Sequence, residues 1–300
     1  MKKANAFGTA AIHLIYFFFI CLISGQSVRA DSAIQFKLVQ NHWIVVPVLV
    51  NGQGPFDFLL DTGANVTIIT PELAQRVAIR PTARVSLITI AGSQVVPYSH
   101  LPSLSLGPRT AENLEVIHSS LPEMRSLCSS ISGVLGQNFL SQFNYSLNYQ
   151  NRRIEFEQAR PEDHPAAERL PVEQLDGRLL ITARPSSSKK KAFKLVLDSG
   201  VSMLIIFETT SKPLKLDLKQ GEDRFLTAST TLGSRTLPVA KLPTLQLGRI
   251  KLSDLPVALV DGIPGENGGF GHGLLATSFF SSIFFNNREG YVILSGRTTR

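Results

Sequence analysis

Two short segments carry the residues best suited to chemistry. Leu59-Leu60-Asp61-Thr62-Gly63-Ala64 and Val196-Leu197-Asp198-Ser199-Gly200-Val201 each place an acid after an apolar run, followed by a small hydroxyl residue and a glycine. An acid at the end of a buried strand is costly unless something pairs with it. Two such acids, one per half of the chain, suggest that each supplies half of one site. Carboxylates brought within about 3 Å of each other do not both ionise readily, so such a pair holds one proton between them. One member then takes a proton from water while the other donates to a carbonyl oxygen, and no covalent enzyme intermediate is needed.

The neighbouring residues suit that work. Gly63 and Gly200 permit a sharp turn and bring backbone N–H groups close to the carboxylates. Thr62 and Ser199 carry hydroxyls able to hydrogen-bond between the two loops and hold them in register. A single Asp-Ser-Gly is an ordinary turn. Two acid-hydroxyl-glycine triplets inside a repeated frame are far more specific.

That frame is an internal repeat. Asp61 and Asp198 lie 137 residues apart. Leu101-Pro102-Ser103-Leu104-Ser105-Leu106-Gly107 returns 141 residues later as Leu242-Pro243-Thr244-Leu245-Gln246-Leu247-Gly248. Gly133-Val134-Leu135-Gly136-Gln137-Asn138-Phe139-Leu140 returns 140 residues later as Gly273-Leu274-Leu275-Ala276-Thr277-Ser278-Phe279-Phe280. Three landmarks in the same order at nearly constant offset indicate duplication.

The elements that position the triplets read mainly as strands. Trp43 to Val50, Phe56 to Leu60, Val85 to Ile90 and Leu104 to Leu106 are alternating or β-branched runs broken by Gly and Pro. Helix signals are short. Thr70-Pro71-Glu72 supplies a cap, a proline at the first helical position and an acid in the first turn. Gln137 to Gln142 and Thr277 to Ser282 are each long enough for a turn or two of helix. Asn51 to Pro55 and Ser186 to Lys191 read as hairpin turns. The expected fold is mostly β, with two closed, barrel-like lobes related by a pseudo-twofold axis.

The expected organisation is a signal peptide over 1–30, a first lobe over 31–156, a linker over 157–176 and a second lobe over 177–300. Lys2 and Lys3, an apolar stretch from Ala10 to Ile23, and Val28-Arg29-Ala30 match a secretory leader and its cleavage site. The alternative is an uncleaved membrane anchor. Export predicts a secreted or periplasmic protein.

Composition narrows the function further. Of 300 residues, 43% are hydrophobic and 18% charged, as in a folded protein with a substantial core. The net charge of +7 includes Lys2, Lys3 and Arg29, which leaves +4 from Asp31 onward. No basic stripe interleaves with aromatics, which argues against nucleic-acid binding. Once Cys21 leaves with the leader, Cys128 has no partner for a disulfide within the chain, so the fold must rest on its core. His42, His100, His118, His164 and His272 show no metal-ligand spacing and read as surface or turn residues. No metal site is expected.

On these motifs the chain resembles the aspartic-protease superfamily, and within it the bacterial retropepsin-like proteases, over roughly Asn41 to Leu294. The resemblance implies an aspartic endopeptidase with Asp61 and Asp198 catalytic, no cofactor, and a peptide or protein as substrate. It implies that the Gly133–Gly136 element braces the catalytic loop. It also implies glycine-containing flaps over the cleft, with candidates at Gly92 in Ile90-Ala91-Gly92-Ser93-Gln94 and Gly233 in Thr231-Leu232-Gly233-Ser234. A monomer with an internal pseudo-dimer follows, in contact with a membrane only if the leader stays attached. Val201 and Ala276 depart from the family pattern in the second lobe. They motivate a second reading, a protease-like domain that binds a peptide or cell-wall ligand without cutting it. Ala64 and Val201 lack a hydroxyl to hydrogen-bond an ionised acid, so the pair is expected to titrate high and to work at mildly acidic to neutral pH.

Overall fold

The computed structural model describes residues 33–157, 167–185, 192–208, 219–261 and 270–296. The expected leader, the expected turn at 186–191 and His164 lie outside them. Among the described residues the strands form three sheets, two of eight strands and one of six. The first eight-stranded sheet runs in the order Lys37–Val39, Trp43–Val50, Gln53–Leu60, Ile131–Leu135, Thr67–Ile69, Arg109–His118, Gly92–Leu106, Ala83–Thr89. A further pairing of Trp43–Val50 with Gly92–Leu106 bends it into a ring-like arrangement. The second runs Glu173–Leu175, Arg178–Pro185, Phe193–Asp198, Gly273–Ala276, Leu204–Phe207, Ile250–Val260, Gly233–Leu247, Lys219–Thr230, closed by pairing of Arg178–Pro185 with Gly233–Leu247. The two orders match position by position. The molecule is therefore mostly β, with two β lobes of one topology.

The repeat explains the match residue by residue. Val45 pairs with Leu59, and Leu180 pairs with Val196. In each lobe the acid-bearing strand runs parallel to the later glycine-rich strand: Leu60 lies beside Leu135, and Leu197 beside Leu275. Such central strands are covered on both faces and hence near-continuously apolar. Phe58, Leu60, Leu195 and Leu197 are all buried. Burial of each such side chain stabilises the fold by roughly 1.5–3 kcal/mol.

The third sheet is shared between the halves. It runs Ala33–Gln35, Arg153–Phe156, Tyr145–Asn148, Phe280–Asn286, Tyr291–Gly296, Ala167–Pro171. At its middle, where the first-half strand Tyr145–Asn148 meets the second-half strand Phe280–Asn286, the Tyr145 ring stacks on Phe285 at 4.7 Å. One large apolar core continues from this sheet into both lobes.

Three features depart from the sequence expectations. The segment 157–176, expected to be a linker, holds two strands: Ala167–Pro171 pairs with Tyr291–Gly296, and Glu173–Leu175 pairs with Arg178–Pro185. Each sits at a sheet edge, where polar residues and proline are tolerated and the apolar signal is weak. A helix at Pro122–Leu127 begins after Leu121, which has a left-handed backbone and no side-chain cap, so the usual start signal is missing. His118, expected at the surface, is buried with its Nε2 2.7 Å from Ser99 Oγ. Among the described residues the other helices, Pro71–Arg76 and Gln137–Leu140, and the 3₁₀ turn Thr277–Phe279 lie within the expected stretches.

Candidate active site

Asp61 follows the last residue of its strand, and its backbone N–H donates to Leu135 O at 3.0 Å. Asp198 closes the equivalent strand. The two loops then meet between the lobes. Thr62 Oγ1 donates to Leu197 O at 2.8 Å and accepts from Ser199 N–H at 3.0 Å. Ser199 Oγ donates to Leu60 O at 2.7 Å and accepts from Thr62 N–H at 3.0 Å. This fourfold exchange is reciprocal, and both hydroxyls are buried. It keeps the loops in register and brings both acids to one cavity, each carboxylate against the glycine of the other loop.

The glycines permit that approach. A Cβ on Gly63 would overlap the Asp198 carboxylate, and one on Gly200 would lie 2.8 Å from Asp61 Oδ2. Each loop's glycine thus makes room for the other lobe's acid. Gly63→Ala is expected to drive the carboxylates apart and to slow any reaction the acid pair carries out by at least about 10²-fold, the scale of a 1 Å misplacement. Steady-state assays of the folded variant check this.

The two carboxylates are not equivalent. Asp61 Oδ1 accepts from Gly63 N–H at 2.9 Å and Ala64 N–H at 3.1 Å, and Asp198 Oδ1 accepts from Gly200 N–H at 2.7 Å. Burial pushes Asp61 above the usual carboxylate range; the two amides, the neighbouring Asp198 carboxyl and the Arg178 cation pull it back. Burial, reinforced by the Asp61 charge, pushes Asp198 well above that range. Two backbone amides on Asp61 against one on Asp198 favour negative charge at Asp61.

The Gly133–Gly136 element packs behind the first loop. Gln137 N–H donates to Ala64 O at 2.8 Å, Asn138 N–H to Asn65 O at 3.2 Å, and Gln137 Nε2 to Thr62 O at 3.0 Å. In the second lobe Ala276 takes the place of Gly136, fully buried beside Asp198 in the strand register.

Two long hairpins border the cleft. Gly92 and Gly233 follow the hairpin turns with φ of 137° and 136°, a backbone open to glycine and strained for other residues. Ile88, Thr89 and Ile90 from the first hairpin and Thr230 and Thr231 from the second line a cavity of about 120 Å³ that also reaches Asp61 and Asp198. Arg235 Nη1 donates to Ile90 O at 3.1 Å, which links the two tips. Most of the wall is apolar, with Val66, Ile68, Met124, Val201 and Phe270 prominent.

Two further residues at the site went unnoticed in the sequence. Trp43 Nε1 donates to Gly200 O at 3.1 Å, and Arg178 Nε donates to Gly63 O at 2.8 Å. Each opens the strand that pairs with its lobe's acid-bearing strand, so alignment of the repeat was the available signal. Nothing local indicated that these side chains cross the lobe interface. Among the described residues, no cluster of three or more His, Cys, Asp or Glu is arranged to hold a metal, and no helix is long and apolar enough to cross a membrane.

Comparison with known families agrees with this architecture. Residues 46–142 match the family described as "gag-polyprotein putative aspartyl protease", and residues 186–279 match the family described as "Aspartyl protease". No curated protein matches the chain. Two aspartyl-protease domains in tandem, on lobes of one topology, make the chain a member of the aspartic-protease superfamily, a duplicated protein of the retropepsin-like kind.

Proposed function

We propose that this protein is an aspartic endopeptidase whose acid–base pair is Asp61 and Asp198, supported by Thr62, Gly63, Ser199 and Gly200. The observation that carries the reading is that one carboxyl from each lobe reaches the same cavity, each beside the other lobe's loop glycine. Asp61 accepts a proton from water as its oxygen attacks the peptide carbonyl carbon. Asp198 gives its proton to the carbonyl oxygen, which produces a neutral tetrahedral diol. Collapse of the diol breaks the C–N bond as Asp61 gives its proton to the nitrogen and one diol hydroxyl returns a proton to Asp198, so the pair ends with the one proton it began with. The protein acts only through proton transfer and position.

The cavity holds about one residue's side chain. An extended peptide therefore enters only when the hairpins carrying Gly92 and Gly233 open, and the apolar wall favours apolar side chains beside the scissile bond. The Lys2-Lys3 leader pattern supports export, hence work in a secreted or periplasmic setting. One chain supplies both acids, so a monomer suffices.

Digestion of a peptide library by the wild type and by Asp61→Asn tests the proposal. Cleavage that disappears in the variant and is blocked by a transition-state-mimicking inhibitor supports it. Tight peptide binding with no cleavage by the wild type overturns it in favour of a binding domain. The pH profile adds a constraint, because activity requires one proton between the two carboxyls. Burial raises both acids, so the activity bell is expected in the mildly acidic to neutral range. A kcat/KM profile peaking in strong acid would contradict it.

A further inference from the structure

The lobes differ in charge right beside the acids. Trp43 and Arg178 open equivalent strands and make equivalent bonds, each donating to the loop glycine carbonyl of the opposite lobe. One is a neutral indole and the other a permanently charged guanidinium. Trp43 demonstrates that this bond needs no charge. Burying a guanidinium, by contrast, is costly unless its charge is compensated.

Compensation comes from two sides. Arg178 Nη1 meets Asp176 Oδ2 at 2.9 Å, but the Asp176 side chain is 62% exposed, so water screens that pair. Asn65 Nδ2 competes for the same oxygen at 3.3 Å. The guanidinium lies 3.9 Å from the centre of the Phe270 ring, and its own side chain is only 6% exposed. The other charged groups beside it are Asp61 and Asp198, which line the same cavity.

Building on the acid-pair reading, we infer that Arg178 is a positioning residue and the pair's internal counter-cation. Its bond to the Gly63 carbonyl fixes the first catalytic loop, and its charge stabilises the one negative charge that Asp61 and Asp198 share. Because only one lobe carries this cation, it also helps to place that charge on Asp61. The sign of the effect on titration is definite. A nearby cation favours the carboxylate, so its removal makes the pair retain its last protons to higher pH. Both limbs of the activity bell then move upward.

The experiment is a carboxyl-¹³C NMR titration of aspartate-labelled protein, wild type against Arg178→Gln, Arg178→Lys and Asp176→Asn. It needs no substrate. Arg178→Gln is expected to move the first deprotonation of the pair up by about one pH unit, a tenfold change in proton affinity. Arg178→Lys is expected to restore most of that shift. Asp176→Asn removes the competing partner and moves the step down. If Arg178→Gln does not fold, Asp176→Asn decides: a downward shift supports the inference, and no shift or an upward one overturns it. A folded Arg178→Gln that titrates like the wild type also overturns it, as does Arg178→Lys behaving like Arg178→Gln. Asp61→Asn separates this from failure of the underlying reading. If Asp61 and Asp198 titrate independently at ordinary carboxylate values in the wild type, and Asp61→Asn leaves Asp198 unmoved, the acid pair itself is wrong. If they are coupled but Arg178 is silent, only the counter-cation is wrong.

Discussion

Asp198→Asn is expected to lose peptide cleavage by at least about 10³-fold while gaining stability at neutral pH. The loss follows from the proposed role of Asp198 as the proton donor, since general acid–base catalysis contributes about 10²–10⁴-fold and asparagine donates no acidic proton. The gain follows from linkage. Asp198 is 5% exposed and its folded pKa lies well above the unfolded reference of 3.8. Between those two values the native protein retains a proton that the unfolded chain has released. Stability therefore falls as pH rises through that window, by about 1.4 kcal/mol for each unit of elevation. Asparagine keeps the shape and removes the titration. Denaturant midpoints are thus expected to be higher for the variant than for the wild type at pH 7, with the difference vanishing below about pH 4. A variant that is inactive but less stable than the wild type at pH 7 would show that Asp198 is not held protonated. Asp61→Asn is expected to be equally inactive with a smaller stability gain, because its amide partners and Arg178 already favour its charge.

Thr62→Val is expected to cost about 2–6 kcal/mol of stability. The Thr62 hydroxyl makes two buried hydrogen bonds, to Leu197 O and from Ser199 N–H. Valine matches its shape and leaves both groups without a partner, and each buried orphan costs about 1–3 kcal/mol. Thr62→Ser retains the hydroxyl that Ser199 already supplies in the other lobe, so it is expected to stay within about 1 kcal/mol of the wild type. Chemical denaturation of the three proteins measures the difference. A Thr62→Val midpoint close to that of Thr62→Ser would mean that the exchange of hydroxyls contributes little to holding the lobes together.

The duplicated pattern carried most of the fold. The strand at Trp43–Val50 and the helix beginning at Pro71 were legible because their signals are local: alternation or apolar runs for the strand, a cap and a proline for the helix. The edge strand Ala167–Pro171 was not, because its pairing to Tyr291–Gly296 compensates for a polar, proline-containing sequence. The helix at Pro122–Leu127 was missed for a similar reason, since it depends on its packing and lacks a start signal. Val201 and Ala276 raised a doubt about the second lobe that its geometry does not reinforce. Ala276 is buried in register beside Asp198, and Gly200 N–H still meets the carboxylate.

By itself the sequence determined that two acids end equivalent strands, that hydroxyl and glycine residues follow them, and that the chain is built twice. Those properties reside in neighbouring residues and in a repeat, both of which survive without coordinates. Tertiary structure alone decided that Trp43 and Arg178 cross the interface, that His118 is buried, and that the Asp198 carboxylate is buried against the opposite loop. Each of these depends on contacts between residues far apart in the chain, or on how completely water is removed from a carboxylate. The energy of a charge is set by that surrounding medium, and no stretch of sequence around Asp61 or Asp198 records it.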